Sequence, residues 1–178
     1  MMSLSSWNAL LHQHLNSPLP HRPDVALRLA IVGVGNDLHG DDGAGILVMR
    51  ALTAHKPIAT DRLCLIEGGL APEAYTGVIR RFKPTHVLII DCALMNAPPG
   101  TVDWLPWQQV DGISASTHTF PLSLFATYLT TALDCEVLVL GIQPDTTAFG
   151  ASVSVAVHTA VQEVIVFLSE EIQNDFSE

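Results

Sequence analysis

Four apolar runs, 27–34, 63–66, 86–90 and 136–142, recur along the chain, and glycine or an acid follows each within a few residues. They do not alternate between apolar and polar positions. A strand of that kind must be covered on both faces, which excludes an open sheet with one wet side. Between the runs lie segments of helical character, 42–55, 72–82, 121–133 and 152–172, the second closed by Pro84 and the third opened by Pro121. A more polar stretch, 101–105, suits an edge strand. Strand and helix in alternation predict an α/β fold, a three-layer α/β/α sandwich with a mostly parallel sheet of about five strands.

The 178 residues suit one domain. Residues 1–26 read as an N-terminal arm, a short amphipathic segment around Trp7 ended by Pro18, Pro20 and Pro23, and residues 27–178 as a single α/β domain. A formal net charge of −10 argues against a nucleic-acid partner, which needs clustered cations to displace counterions. The nearest cluster, Arg80, Arg81 and Lys83, suits a helix C-terminus. The longest apolar runs are too short to span a bilayer, and no signal peptide is visible, so no membrane partner is expected. Cys64, Cys92 and Cys135 lie in apolar surroundings without a CxxC spacing, which points to reduced, buried thiols in a cytoplasmic protein. None is a candidate nucleophile.

In a parallel sheet the C-terminal ends of the strands share one edge, where ligands bind. The residues that follow the apolar runs are Gly33-Val34-Gly35-Asn36-Asp37-Leu38-His39-Gly40-Asp41-Asp42-Gly43-Ala44-Gly45, then Glu67-Gly68-Gly69, Asp91 and Gln143-Pro144-Asp145. His118 stands in a Ser/Thr-rich loop before Pro121. The glycine loop is not a dinucleotide fingerprint: its third glycine position holds Leu38, and Asp41 and Asp42 would oppose a pyrophosphate. A cation suits it better. Asp42, Asp91 and His118 offer two carboxylates and an imidazole, a three-ligand set that leaves coordination positions open and suits Zn²⁺ or Ni²⁺. Each also has an ordinary reading, as helix N-cap, strand-end turn former and hydrogen-bonding loop histidine, and spacing does not choose between them.

The glycine loop together with Glu67-Gly68-Gly69-Leu70-Ala71-Pro72-Glu73, Leu88-Ile89-Ile90-Asp91, Thr117-His118-Thr119 before Pro121-Leu122, and Gly141-Ile142-Gln143-Pro144-Asp145 resembles the hydrogenase maturation endopeptidases. The likeness is greatest to the type serving the formate-hydrogenlyase hydrogenase, and it covers roughly 27–172. The resemblance implies an endopeptidase that removes the C-terminal extension of a [NiFe]-hydrogenase large-subunit precursor once nickel is inserted. It implies that Asp42, Asp91 and His118 bind the metal, either to activate water or to grip nickel already in the substrate. His39 and His86 match no family ligand. Glu67 replaces the more usual aspartate, and the N-terminal arm has no counterpart. A metallochaperone would be expected to carry softer ligands, and a small-molecule hydrolase its own nucleophile or a second metal. Two geometric expectations follow. The first and third strands should be neighbours, and Gly43 and Gly45 should permit close approach of the first helix.

Overall fold

A computed structural model describes residues 6–17, 19, 23–55, 60–112, 114–115 and 120–176. Its sheet has five strands in the order β2-β1-β3-β5-β4. They are β1 (Leu29–Val34), β2 (Leu63–Gly69), β3 (His86–Cys92), β4 (Val102–Leu105) and β5 (Glu136–Ile142). β1 pairs in parallel with β2 on one side and with β3 on the other, Gly33 standing opposite both Glu67 and Ile90. β5 runs parallel to β3, and β4 closes the edge antiparallel to β5. The sheet is therefore mixed but mostly parallel.

Consecutive strand residues feed opposite faces, as pleating requires. Leu29, Ile31, Leu88, Ile90 and Leu140 join one core with the buried sides of α1 (Ser6–Asn16), α2 (Ala44–His55) and α5 (Val155–Phe176). Ala30, Val32, Val87, Ile89 and Val139 join the other with Ile79 of α3 (Thr76–Phe82) and Leu122, Phe125 and Leu129 of α4 (Leu122–Leu133). Helices thus cover both faces, giving the expected three layers. Each fully buried Leu, Ile or Phe contributes about 1.5–3 kcal/mol to that arrangement before entropy is charged.

α1 joins the first core through Trp7, Leu11 and Leu15. The Trp7 ring meets Phe167 of α5 edge-on at 5.3 Å, and Trp104 Nε1 of β4 donates to Trp7 O at 3.1 Å. His14 Nδ1 lies 2.9 Å from Glu136 Oε1 at the start of β5. Arg80 and Arg81 occupy the last turn of α3, and Lys83 ends it in the left-handed conformation. No described helix is long and apolar enough to cross a membrane.

Several boundaries differ from the sequence reading for identifiable reasons. Both helices that follow β1 and β2 open with a 3-10 turn, Gly40–Gly43 and Pro72–Tyr75, which tightens the chain as it leaves the sheet. β3 runs on through Asp91, which therefore lies inside the strand. α5 starts at Val155 because Ser154 is drawn out of the helix: its N–H donates to Asp41 Oδ1 at 2.6 Å while its hydroxyl accepts from Val157 N. A 3-10 segment, Trp107–Gly112, was not anticipated.

Candidate active site

β1 leads into α2 and then β2 on one side, while β2 returns through α3 on the opposite face to β3 on the other side. The connections part between β1 and β3, opening the crevice where such sheets bind ligands. The glycine loop is folded onto this seam. A Cβ at Gly45 would fall 2.3 Å from Ile90 O and 2.4 Å from Val34 O, and one at Gly33 would fall 2.2 Å from Gly45 O. Only a chain without side chains here lets the first turn of α2 rest on the backbones of both strands. Gly35, at φ 132°, turns the chain out of β1, and Asn36 N donates to Asp42 O at 3.2 Å. Asp42 is thereby buried at the end of β1, beside the strand that carries Asp91.

Asp91, also buried, accepts the Ser114 hydroxyl on Oδ2 at 2.7 Å. Ala115 N donates to Cys92 O at 2.9 Å, and Ala93 bridges Ser114. This fastens the segment before His118 to the end of β3. Ala115 also lines a cavity of about 240 Å³ together with Asp42, Asn36, His39, Leu70 and Thr147. His118 itself lies outside the described residues, and among the described residues no three His, Cys, Asp or Glu side chains are grouped to hold a metal. A cavity of similar size, about 230 Å³, lies at the opposite edge beside α1 and His86, and among the described residues no carboxylate or thiol lines it.

The acids register on their surroundings. Burial pushes the Cys92 thiol well above its ordinary range, and the charges of Asp91, Asp42 and Asp41 push it further. The three carboxylates thus share one neighbourhood, and Cys92 stays protonated within it. Asp41 is buried but held below the usual carboxylate range. Burial alone would raise it; amide donors from Thr146, Ser154 and Asp145 outweigh that. The N–H groups of Asp145 and Thr146 reach Oδ2 at 2.8 and 3.0 Å, and Asp41 N returns a bond to Thr146 O at 2.9 Å.

The hydrogenase maturation protease model HycI matches residues 46–172. That span opens four residues beyond Asp42 and takes in Asp91 and position 118. The chain belongs to the hydrogenase maturation protease family. It is 34% identical over 132 residues to the hydrogenase 3 maturation protease of Escherichia coli K12, covering 74% of this chain and 82% of that one. A provisionally named hydrogenase maturation protease of Methanocaldococcus jannaschii is 41% identical over 122 residues, 66% of this chain and 72% of its own. The crystal structure of the HycI [NiFe] hydrogenase maturation protease from Thermococcus kodakarensis KOD1 superposes with a TM-score of 0.74 at 28% identity, covering 83% and 93% of the two chains.

For a hydrogenase maturation protease the thiols are a point of chemistry. Cys64, Cys92 and Cys135 are free and buried, and burial raises the thiols of Cys64 and Cys92, so neither has the accessible thiolate of a cysteine nucleophile. Glu67 is committed elsewhere. Arg50 Nη2 donates to Glu67 Oε1 at 2.8 Å and Arg50 Nη1 to Asp37 Oδ2 at 2.8 Å. These bonds, Glu67's first, hold the Arg50 pKa above its ordinary value. The longer glutamate thus serves an ion pair across the mouth of the glycine loop. Three residues here were given no role of their own by the sequence reading. They are Asp41, Arg50 and Gln143, whose Oε1 accepts from Met95 N at 2.6 Å to brace the loop after β3. Asp41 had a signal, since two adjacent acids were present where the ligand set used one.

Proposed function

We propose that this protease removes the C-terminal extension of a nickel-loaded [NiFe]-hydrogenase large-subunit precursor, recognising the substrate's nickel through Asp42, Asp91 and His118. The observation that carries the reading is the juxtaposition at the seam of β1 and β3. Asp91 lies in β3 and Asp42 in the 3-10 turn that follows the neighbouring β1, and the segment leading to His118 is bonded to Asp91 and Cys92 while lining the Asp42 cavity. Three residues of chain beyond Ala115 reach about 10 Å, enough for an imidazole at position 118 to approach both acids.

The donor set fits nickel in substrate. Two carboxylates and one imidazole, with the nearby thiol kept protonated, are nitrogen and oxygen ligands for a borderline divalent ion, and a Zn²⁺-like ion could take the same place. Clustered buried carboxylates repel one another until a cation or proton joins them, so binding a metal relieves a cost already present in the fold. The precursor is assembled with its nickel in the cytoplasm on this reading, where reduced cysteines are the norm.

The test is incubation of the purified chain with nickel-loaded precursor, with intact mass reporting loss of the C-terminal extension. Wild type should process it, and metal-free precursor should be left whole. His118→Ala, Asp42→Asn and Asp91→Asn should each lose processing while the chain stays folded. Wild-type cleavage rates in His118→Ala would overturn the three-ligand site, and no cleavage by the wild type would overturn the substrate.

A further inference from the structure

We propose that the loops on the C-terminal edge of the sheet form an apolar docking collar for the body of the precursor protein, with Phe149 as its anchor. Each loop leaving a parallel strand at this edge exposes an apolar side chain: Leu38 after β1 (59% exposed), Leu70 after β2 (42%), Leu94 after β3 (51%) and Phe149 after β5 (77%). Val155, at 85%, begins α5 on the same edge. Other exposed apolar residues lie chiefly on the outer sides of helices. These five follow the strand ends on the edge where the cleft opens, and exposed apolar side chains gathered at one edge suit a site of macromolecular contact.

Two features make the collar more than loose loop tips. It is continuous with the site: Leu70 lines the cavity of Asp42, and Phe149 meets edge-on, at 5.4 Å, the ring of His39, which lines it too. It is also held in place beforehand. Gly150 N donates to Leu38 O at 2.8 Å, tying the β5 loop to the β1 loop, and His39 Nδ1 lies 3.2 Å from Thr147 O. Asp41 fixes both ends of that loop through Asp145, Thr146 and Ser154. A large aromatic presented on a pinned loop loses little freedom on binding, which is the character of an interface anchor.

The chemistry of the occupant follows. Asp145 is exposed at the same edge and the chain carries a formal net charge of −10, so the collar fits an apolar depression fringed by basic side chains. Cutting one bond at a chain terminus needs only an extended peptide in the cleft. A collar of this breadth has a use only if the folded body beyond that terminus is also engaged, which gives a means of selecting one precursor.

The inference rests on the proposed precursor as substrate, and the test separates the two. Binding of nickel-loaded precursor is measured by calorimetry, and its cleavage by mass, for wild type, Phe149→Ala and, as a second loop, Leu94→Ser. Each variant should melt as wild type does, since the side chains are exposed. Loss of an anchor should weaken binding and raise KM about 30-fold or more with kcat unchanged, the range of an interface hot spot, and Phe149→Trp should restore most of it. Tight binding and unchanged KM in both variants would overturn the collar while leaving the protease assignment intact. Binding that depends on Phe149 without any cleavage would support the collar and overturn the function. A wild type that neither binds nor cleaves this precursor would overturn both.

Discussion

Asp41→Asn isolates what the second acid of the Asp-Asp pair does. In the native protein Oδ1 accepts from Ser154 N at 2.6 Å, and Oδ2 accepts from Asp145 N and Thr146 N at 2.8 and 3.0 Å. Asparagine keeps one oxygen. Facing Asp145 and Thr146, that oxygen retains two bonds without charge assistance, and the new NH2 then confronts the Ser154 N–H, donor against donor. A bond to a charged group is worth about 1.5–3 kcal/mol and a neutral one about 1, while a stranded buried donor costs about 1–3 kcal/mol. Together these give a loss of roughly 3–5 kcal/mol. For a chain of this length each kcal/mol lowers Tm by about 2–4 °C, so a fall of about 10 °C is expected. Thermal and urea unfolding of the metal-free protein measure it. Amide exchange at Asp145, Thr146 and Ser154 should accelerate more than exchange in β1 or β3. A Tm within about 2 °C of wild type, with those amides still protected, would show that Asp41 does not clamp the loop.

Gly45→Val should cost more than about 3 kcal/mol, beyond ordinary overpacking, because its Cβ meets the backbone oxygens of Ile90 and Val34 rather than side chains that can move; a urea midpoint equal to wild type would refute the close approach. Glu136 is held below its ordinary pKa by His86 first, against burial, with His14 adding to the effect. His86 Nε2 lies 3.3 Å from Glu136 Oε2, within ion-pair range though off hydrogen-bond alignment. A depressed carboxylate contributes stability that is present above its unfolded value of 4.5 and lost as pH falls through the folded one. Wild type should therefore exceed Glu136→Gln in Tm near neutral pH, and the two curves should converge once pH has fallen from 4.5 through the lowered folded pKa. A gap that persists there would refute the pairing.

What could be read in the sequence was whatever depends on residues close together along the chain. β1, β3 and β5 were legible because Ala30–Val34, Val87–Ile90 and Val137–Ile142 are buried on both faces, and no other element tolerates such runs at that length. The adjacency of β1 and β3 was expected and is observed, with the first turn of α2 resting on the backbones of both strands. Asp41 could not be read that way. In sequence it is the twin of Asp42, and only Thr146 and Ser154, more than a hundred residues on, give it a different task. The amphipathic pattern of Trp7, Leu11 and Leu15 was visible, but its destination against Phe167 and β4 depends on tertiary packing. Arg50 carried no reading of its own in the sequence, and only the return of β2 brings Glu67 within 2.8 Å of it.

The contrast between the two adjacent acids explains why the loop has both. Buried charge is tolerated only where something compensates it, and the compensation decides the role. Asp41 takes its compensation from three backbone amides of a distant segment, so its charge is spent on holding the β5 loop, and with it Phe149, beside the cleft. Asp42, one residue on, faces the cavity on the other side of the 3-10 turn. On the proposed reading it is also a ligand for the metal of the substrate. A loop with one acid would have to choose between a fixed geometry and an available ligand. The pair divides these duties between neighbouring residues of the tight turn from Gly40 to Gly43.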